Sequence, residues 1–152
     1  MASIVIRAAE KEDVPVVSGL IRALAEFENL APPDTEAQAR FLRDGWETNP
    51  PRFRAYLTEV DGAPAGYAIT FYTYSSFLAK PTLYIEDIFI LPEHRSKGVG
   101  NKLFQYLHDL AQTESCGRME WVVLDWNTGA QRFYQRLGAS HQTEWQNYRI
   151  TF

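Results

Sequence analysis

Glu86 and Asp87 are adjacent carboxylates inside the apolar run Leu83-Tyr84-Ile85-Glu86-Asp87-Ile88-Phe89-Ile90. Strand alternation sends neighbouring side chains to opposite faces, and the apolar flanks argue that both faces are covered. At least one carboxylate is therefore expected to be buried or to line a cleft, where it needs a cation, a hydrogen-bond donor or a proton to handle. A few residues on, Arg95-Ser96-Lys97-Gly98-Val99-Gly100 forms a basic, glycine-bearing turn, and Leu103, Phe104, Leu107 and Leu110 follow at helical spacing. Such a turn opens a helix, where backbone N–H groups and the helix dipole favour an anion and glycines let phosphate oxygens approach closely. A surface loop with two solvated cations fits the Gly-x-Gly equally well. The third glycine of a dinucleotide fingerprint and the Gly-Lys-Ser/Thr of a P-loop are both missing.

The elements that must position these residues are legible from periodicity and punctuation. Ile4 to Ala8 reads as a strand, and Asp13 with Pro15 starts a helix whose apolar stripe runs through Val17, Leu20, Ile21, Leu24 and Phe27 and ends near Leu30. Thr35-x-x-Gln38 fits a capping box for a second helix. Phe53 to Val60, the Asp61-Gly62 turn and Gly66 to Tyr74 form a hairpin. The carboxylate strand, Thr82 to Leu91, comes next, then a helix from the glycine turn to about Glu114. Met119 to Asp125 reads as a buried strand, Thr128 to Leu137 as a helix closed by Gly138, and Ser140 to Thr151 as two short strands. The order β, α, α, β, β, β, α, β, α, β, β describes an α/β domain with a mixed sheet.

With 152 residues, 45% hydrophobic and 14% aromatic, residues 1–152 are expected to form one domain with a sizeable core. Fifteen Lys and Arg against 19 Asp and Glu leave a net charge of −4, which disfavours a phosphate-neutralising surface, so no nucleic-acid partner is expected. The acidic balance suits a cationic substrate, but it is first of all that of an ordinary cytoplasmic protein. Cys116 is alone, and no Cys/His spacing resembles a zinc site. No metal and a reducing, cytoplasmic setting are the expectations. Met1 to Arg7 is too short in apolar length for a signal peptide, and no apolar run is long enough to span a membrane.

Downstream lies Trp126-Asn127-x5-Phe133-Tyr134-x2-Leu137-Gly138-Ala139. With this block, the carboxylate strand and the glycine turn in that order, the chain resembles the GNAT superfamily of acetyl-CoA-dependent N-acetyltransferases, and within it the spermidine/spermine (diamine) and thialysine acetyltransferase branch. The likeness runs from Ile6-Arg7 through Ala25-Glu26-Phe27-Glu28 and Tyr72-Thr73-Tyr74 to Gly138-Ala139. It implies a mixed central sheet flanked by helices, with a splayed strand pair forming the acetyl-CoA cleft. It also implies that the backbone of Ile88, Phe89 and Ile90 pairs with the pantetheine arm, and that Arg95, Ser96, Lys97, Gly98, Val99 and Gly100 hold the pyrophosphate. Ser96 stands where the family usually has glycine. By the same resemblance Asn127 lies near the cofactor arm, Arg136 reaches its phosphates, and Tyr134 is the general acid.

A tyrosine with a reference pKa of about 10 is roughly matched to a leaving thiol near about 8.5. From spacing alone Tyr134 reads as a core aromatic beside Phe133 and Leu137, and it is the resemblance that makes it the acid; Asn127 also fits a helix cap and Arg136 a solvated helical arginine. The acceptor amine, with a lysine-like pKa of about 10.4, arrives as an ammonium and must lose a proton before it attacks. Glu86 is the expected base, through water, with Glu28 and Asp87 holding distal positive charge. Glu28 is equally a solvated residue at a helix end, and Asp87 equally a structural salt-bridge partner. The resemblance places Phe27 and Phe77 along the acceptor channel, where the branch more often has tyrosine and tryptophan. It also implies a homodimer, to which the alternation Tyr148, Ile150, Phe152 adds an apolar edge. The expected activity is direct acetyl transfer to a small cationic amine. Acetylation of a protein or peptide amine, and a noncatalytic acyl-CoA sensor, are the competing readings.

Overall fold

β1 (Ile4–Ala8), β2 (Arg54–Val60), β3 (Ala63–Ser75), β4 (Lys80–Ile90) and β5 (Arg118–Glu120) lie side by side in that order in the computed structural model, which describes residues 1–152. The first four pair antiparallel and β4 with β5 parallel, which makes the sheet mixed, as expected. β2 and β3 join through Asp61 (φ 51°) and Gly62 (φ 82°), the left-handed pair that a two-residue hairpin turn requires.

Alternation along β2 shows how the sheet is covered. Ala55 and Leu57 pack in one core cluster with Val17 and Leu20 of α1 (Val14–Phe27), together with Tyr67, Ile69 and Phe89. Tyr56 turns the other way, with its ring 5.4 Å from that of Tyr106 on α3 (Val99–Thr113), and Val60 packs with Val99. Helices thus flank both faces, and each buries the apolar stripe that its periodicity announced. Arg7 ties β1 to its neighbours by ion pairs to Asp13 at 2.7 Å and Glu59 at 3.0 Å.

Two details of the helix starts differ from expectation. α2 (Thr35–Leu42) is capped by Asp34, whose carboxylate accepts from the Ala37 N–H at 2.8 Å, so the Thr35 capping box is not the start signal. Asp13 does precede α1, but its carboxylate is engaged by Arg7 and the Glu10 N–H instead of the helix N–H groups.

The chain divides into two compact units, Met1–Trp121 and Val122–Phe152. The boundary falls inside the strand expected over Met119 to Asp125; the strand that forms is Arg118–Glu120, against Thr82–Tyr84, and it includes only Met119 and Glu120 of the expected one. Past Tyr84, β4 carries a bulge, which increases local twist and leads the strand away from a straight partner. The second unit is built on α4 (Thr128–Arg136), capped by Asn127 and closed at Gly138 (φ 89°). The two strands expected between Ser140 and Thr151 do not form. The unit holds no strand with which they could share a ladder, and the Thr143 and Trp145 N–H groups turn back to the His141 and Gln142 carbonyls.

Candidate active site

Tyr67 and Ile69 on β3 lie opposite Phe89 and Asp87 on β4, and the packing of Tyr67, Ile69 and Phe89 with α1 puts this row on the α1 face of the sheet. Phe27 ends α1 with its ring centroid 6.1 Å from that of Phe89. Glu28 follows at the helix C-cap, with its N–H held by the Leu24 carbonyl. Here it faces Asp87. Burial raises the Glu28 carboxyl above its ordinary pKa, and the charge of Asp87 raises it further. Burial likewise raises Asp87, against the opposing effect of a 2.9 Å hydrogen bond donated by the Tyr67 hydroxyl. Neither Glu28 nor Asp87 enters an ion pair. The salt-bridge role open to Asp87 is thus not the one it has. Two half-buried carboxylates that face each other and no cationic side chain can receive a cation.

The bulge changes how Glu86 is aimed. Asp87 pairs with Ile69 and Ile85 with Thr70, so Glu86 is the inserted residue. Strict alternation fails at this one place, and the opposite-face rule for the Glu86-Asp87 pair does not hold across it. Glu86 is exposed, and its charge is felt by both Tyr67 and Tyr84.

No strand continues the ladder on the outer edge of β4 after Tyr84, so the backbone through Ile88, Phe89 and Ile90 can take an extended amide-bearing arm as an added strand. β4 then leads to the glycine turn. Gly98 is the N-cap of α3 at φ 78°, and a Cβ built on it meets no atom within 4 Å. The turn therefore faces open space with the N–H groups of Val99, Gly100 and Asn101, the first turn of a helix. Lys97 is exposed beside them, and Ser96 sits at φ 62°, a conformation that glycine would adopt more easily. This set of amide donors, a lysine and an open strand edge fits the diphosphate and pantetheine parts of acetyl-CoA. Arg95 adopts a more specific pose. Its Nε donates to the Ile90 carbonyl at 2.8 Å, and its guanidinium lies 5.0 Å from the Phe27 ring centre and 5.2 Å from that of Phe89. The residue that opens the glycine turn and the Glu28 end of α1 thus meet at two aromatic rings.

Phe77 is elsewhere. It is 97% exposed in the turn between β3 and β4, seven strand residues and more from Asp87, or roughly 20 Å at about 3.3 Å per residue. In the second unit, the Asn127 side chain accepts from the Ala130 N–H at 3.2 Å, the Phe133 and Tyr134 rings lie 5.5 Å apart, and Arg136 is exposed on the last turn of α4. Asn127 is therefore a helix cap, whatever else it does. The cavity between α1 and α2, about 140 Å³ and lined by Ser18, Ile21, Pro33, Ala37, Gln38 and Phe41, has Arg22 as its titratable group and offers no proton acceptor.

Sequence reasoning overlooked Tyr67. Gly66-Tyr67-Ala68 reads as an apolar strand segment, yet a tyrosine in a fully covered strand must find an acceptor for its hydroxyl, and that requirement was the available signal.

The acetyltransferase (GNAT) family model matches residues 20–139. The chain is 32% identical to thialysine N-epsilon-acetyltransferase of Sus scrofa over 161 positions, covering 99% of this chain and 94% of that protein. It is 43% identical to L-ornithine N5-acetyltransferase NATA1 of Arabidopsis thaliana over 91 positions, 60% of this chain and 40% of that protein. The solved structure of AAC(6')-Iy in complex with the bisubstrate analog CoA-S-monomethyl-acetylneamine shares the fold, with a TM-score of 0.80 over 99% of each chain at 21% identity.

Proposed function

We propose that this chain, which belongs to the GNAT family of acetyltransferases, moves the acetyl group of acetyl-CoA to a primary amine of a small cationic acceptor of the polyamine, diamine or thialysine kind. It is an N-acetyltransferase; the proposal concerns its acceptor and its residues. The observation that supports a cationic acceptor is the Glu28–Asp87 pair, raised in pKa by burial and without a cationic side chain. Relatives named for thialysine, ornithine and spermidine/spermine agree with that chemistry.

Bound acetyl-CoA supplies the thioester and, on departure, a thiolate. In this reading the N–H groups of the Gly98 turn, with Lys97 and Arg95, hold the diphosphate, and the outer edge of β4 holds the extended arm. Asp87 and Glu28 bind the distal charge of the acceptor. Glu86, aimed by the bulge, removes the proton from the attacking ammonium through water. Tyr134 delivers a proton to the departing sulfur, while Asn127 and Arg136 serve the cofactor side and Phe27 the acceptor channel; Phe77, exposed in the β3–β4 turn, is left out of it. Residues 1–152 act as a single acetyltransferase domain in this account. The protein works in the cytoplasm as a homodimer, an assembly that a twofold protomer mass in light scattering checks.

The deciding experiment is an acetyl-CoA consumption screen against spermidine, spermine, diamines, thialysine, ornithine and lysine, with a lysine-containing peptide and an amine-free blank. Turnover with the small cationic amines well above the peptide is expected. Turnover with the peptide alone, or CoA binding without any turnover, overturns the proposal.

A further inference from the structure

We propose that Tyr67 is the positioning residue of acceptor recognition: its hydroxyl fixes one oxygen of Asp87 and leaves the charge and the other oxygen of that carboxylate for the ammonium of the acceptor. The proposal rests on the acceptor reading above and extends it to a residue that touches neither substrate.

Tyr67 is fully buried, with 0% exposure, and its hydroxyl donates to Oδ2 of Asp87 at 2.9 Å. Across the ladder Tyr67 stands opposite Phe89, two residues from Asp87, so ring and carboxylate are diagonal neighbours on one face. Tyr67 sits on β3, the central strand of the sheet, and Asp87 is held against that strand by the β3–β4 ladder. The groups facing Asp87 are Tyr67 from β3, Glu28 after α1 and Glu86 beside it on β4, all of them neutral or acidic.

The choice of a tyrosine matters. An arginine or lysine at this place would orient Asp87 equally well but cancel its charge, and the acceptor would then compete with a built-in cation. A buried phenol orients without neutralising. It also remains a phenol, because burial, then the charge of Asp87, pushes its ionisation far above the neutral range. The hydrogen bond lowers the Asp87 pKa against the upward pull of burial. Without the hydroxyl, Asp87 takes up its proton at higher pH and loses the acceptor there.

The test is Tyr67→Phe in the full chain, alone and combined with Asp87→Asn, assayed with spermidine across pH. In Tyr67→Phe the acceptor KM is expected to rise about tenfold, the order expected for a hydrogen bond to a charged group. The acid limb of kcat/KM should move to higher pH, while acetyl-CoA affinity by calorimetry stays unchanged. In the Asp87→Asn background the same substitution should add nothing to the acceptor KM. A packing role alone would lower thermal stability and leave the limb in place. An unmoved limb with unchanged KM overturns the proposal, as does an equal KM effect in both backgrounds.

A second measurement needs no variant and no turnover. In wild-type protein with ¹³C-labelled tyrosine and aspartate, the Tyr67 Cζ resonance should titrate together with the Asp87 carboxyl. Independent titration overturns the positioning role. Co-titration in a protein that acetylates no cationic amine upholds the link between the two residues and rejects the acceptor assignment instead.

Discussion

Substituting Gly98 separates two things that its position combines, a left-handed backbone and an anion-facing surface. At φ 78° an L-residue is strained whatever the space, yet a Cβ at this place meets no atom within 4 Å. Gly98→Ala therefore carries a backbone penalty of about 1–2 kcal/mol. The lower entropy of the unfolded chain offsets about 0.4–1 kcal/mol of it. The net loss, about 0.5–1 kcal/mol, corresponds to a fall in Tm of a few degrees at most in a chain of this size. Gly98→Asp accepts similar backbone strain and adds a carboxylate at the mouth of the turn. Against a diphosphate of about two negative charges at about 5 Å, with an effective dielectric constant of about 40–80, the repulsion is about 2–3 kcal/mol. That is a loss of CoA affinity of roughly 30- to 150-fold. Calorimetric titration of both folded variants with CoA reads the difference, which should shrink as salt is raised because the site is open to solvent. Equal affinities for the Ala and Asp variants would refute the placement of the diphosphate at this turn. A difference insensitive to salt would refute the electrostatic account.

Tyr134→Phe removes a hydroxyl and keeps the ring that packs beside Phe133; turnover should fall by about 10²-fold or more with CoA affinity within about twofold, and an unchanged rate in single-turnover assays rejects Tyr134 as the acid. Glu28→Gln should weaken use of spermidine more than of a short monoamine, whereas Glu86→Gln should lower turnover for every acceptor and alter the pH–rate profile; equal losses across acceptors in both variants refute this division of roles. Asp87→Asn should raise Tm at neutral pH even as it impairs the acceptor. Burial holds the folded pKa of Asp87 above its ordinary value, so the folded state binds the extra proton and wild-type stability falls as pH rises from that ordinary value, about 3.9, through the raised one. The advantage of the amide, seen by thermal unfolding, should be full above the raised pKa and fade toward pH 4; a gain independent of pH contradicts it.

The parts of the site that were legible are those set by one segment alone. The strand from β4 into the glycine turn and α3 carries its own period, its own glycines and its own charges, and the fold places them as that pattern requires. What was not legible depends on a second segment. The bulge at Glu86 exists because β3 and β4 disagree in register by one residue between Ile69 and Thr70, a mismatch that neither strand announces. The Tyr67–Asp87 bond joins residues 20 apart, and only the ladder register makes them diagonal neighbours. The alternation at Tyr148, Ile150 and Phe152 satisfies the strand pattern, but a strand also needs a ladder. Arg118–Glu120 shows the same limit on a smaller scale: Trp121 to Val123 are strand-forming residues, yet the parallel ladder ends at the Tyr84–Glu120 pair.

Around the Glu28 end of α1 opposite signs stay unpaired, although elsewhere in the first unit they pair, as Arg7 does with Asp13 and Glu59. Arg95 comes within 5.0 Å of the Phe27 ring, and Glu28 is the next residue in the chain, yet the two form no ion pair. Arg95 is held by the Ile90 carbonyl and by the faces of Phe27 and Phe89, contacts that localise a guanidinium without consuming a carboxylate. Burial raises the pKa of both Glu28 and Asp87, and the charge of Asp87 raises Glu28 further, yet neither acid pairs with Arg95. Direct pairing of Arg95 with either acid would relieve that cost and cancel both charges at once. With neither acid paired to it, Arg95 leaves a cation beside the turn and two carboxylates at the α1 end, the charges that the proposed function assigns to a diphosphate and an ammonium. Phe27 and Phe89 meet between these groups at the ends of α1 and β4.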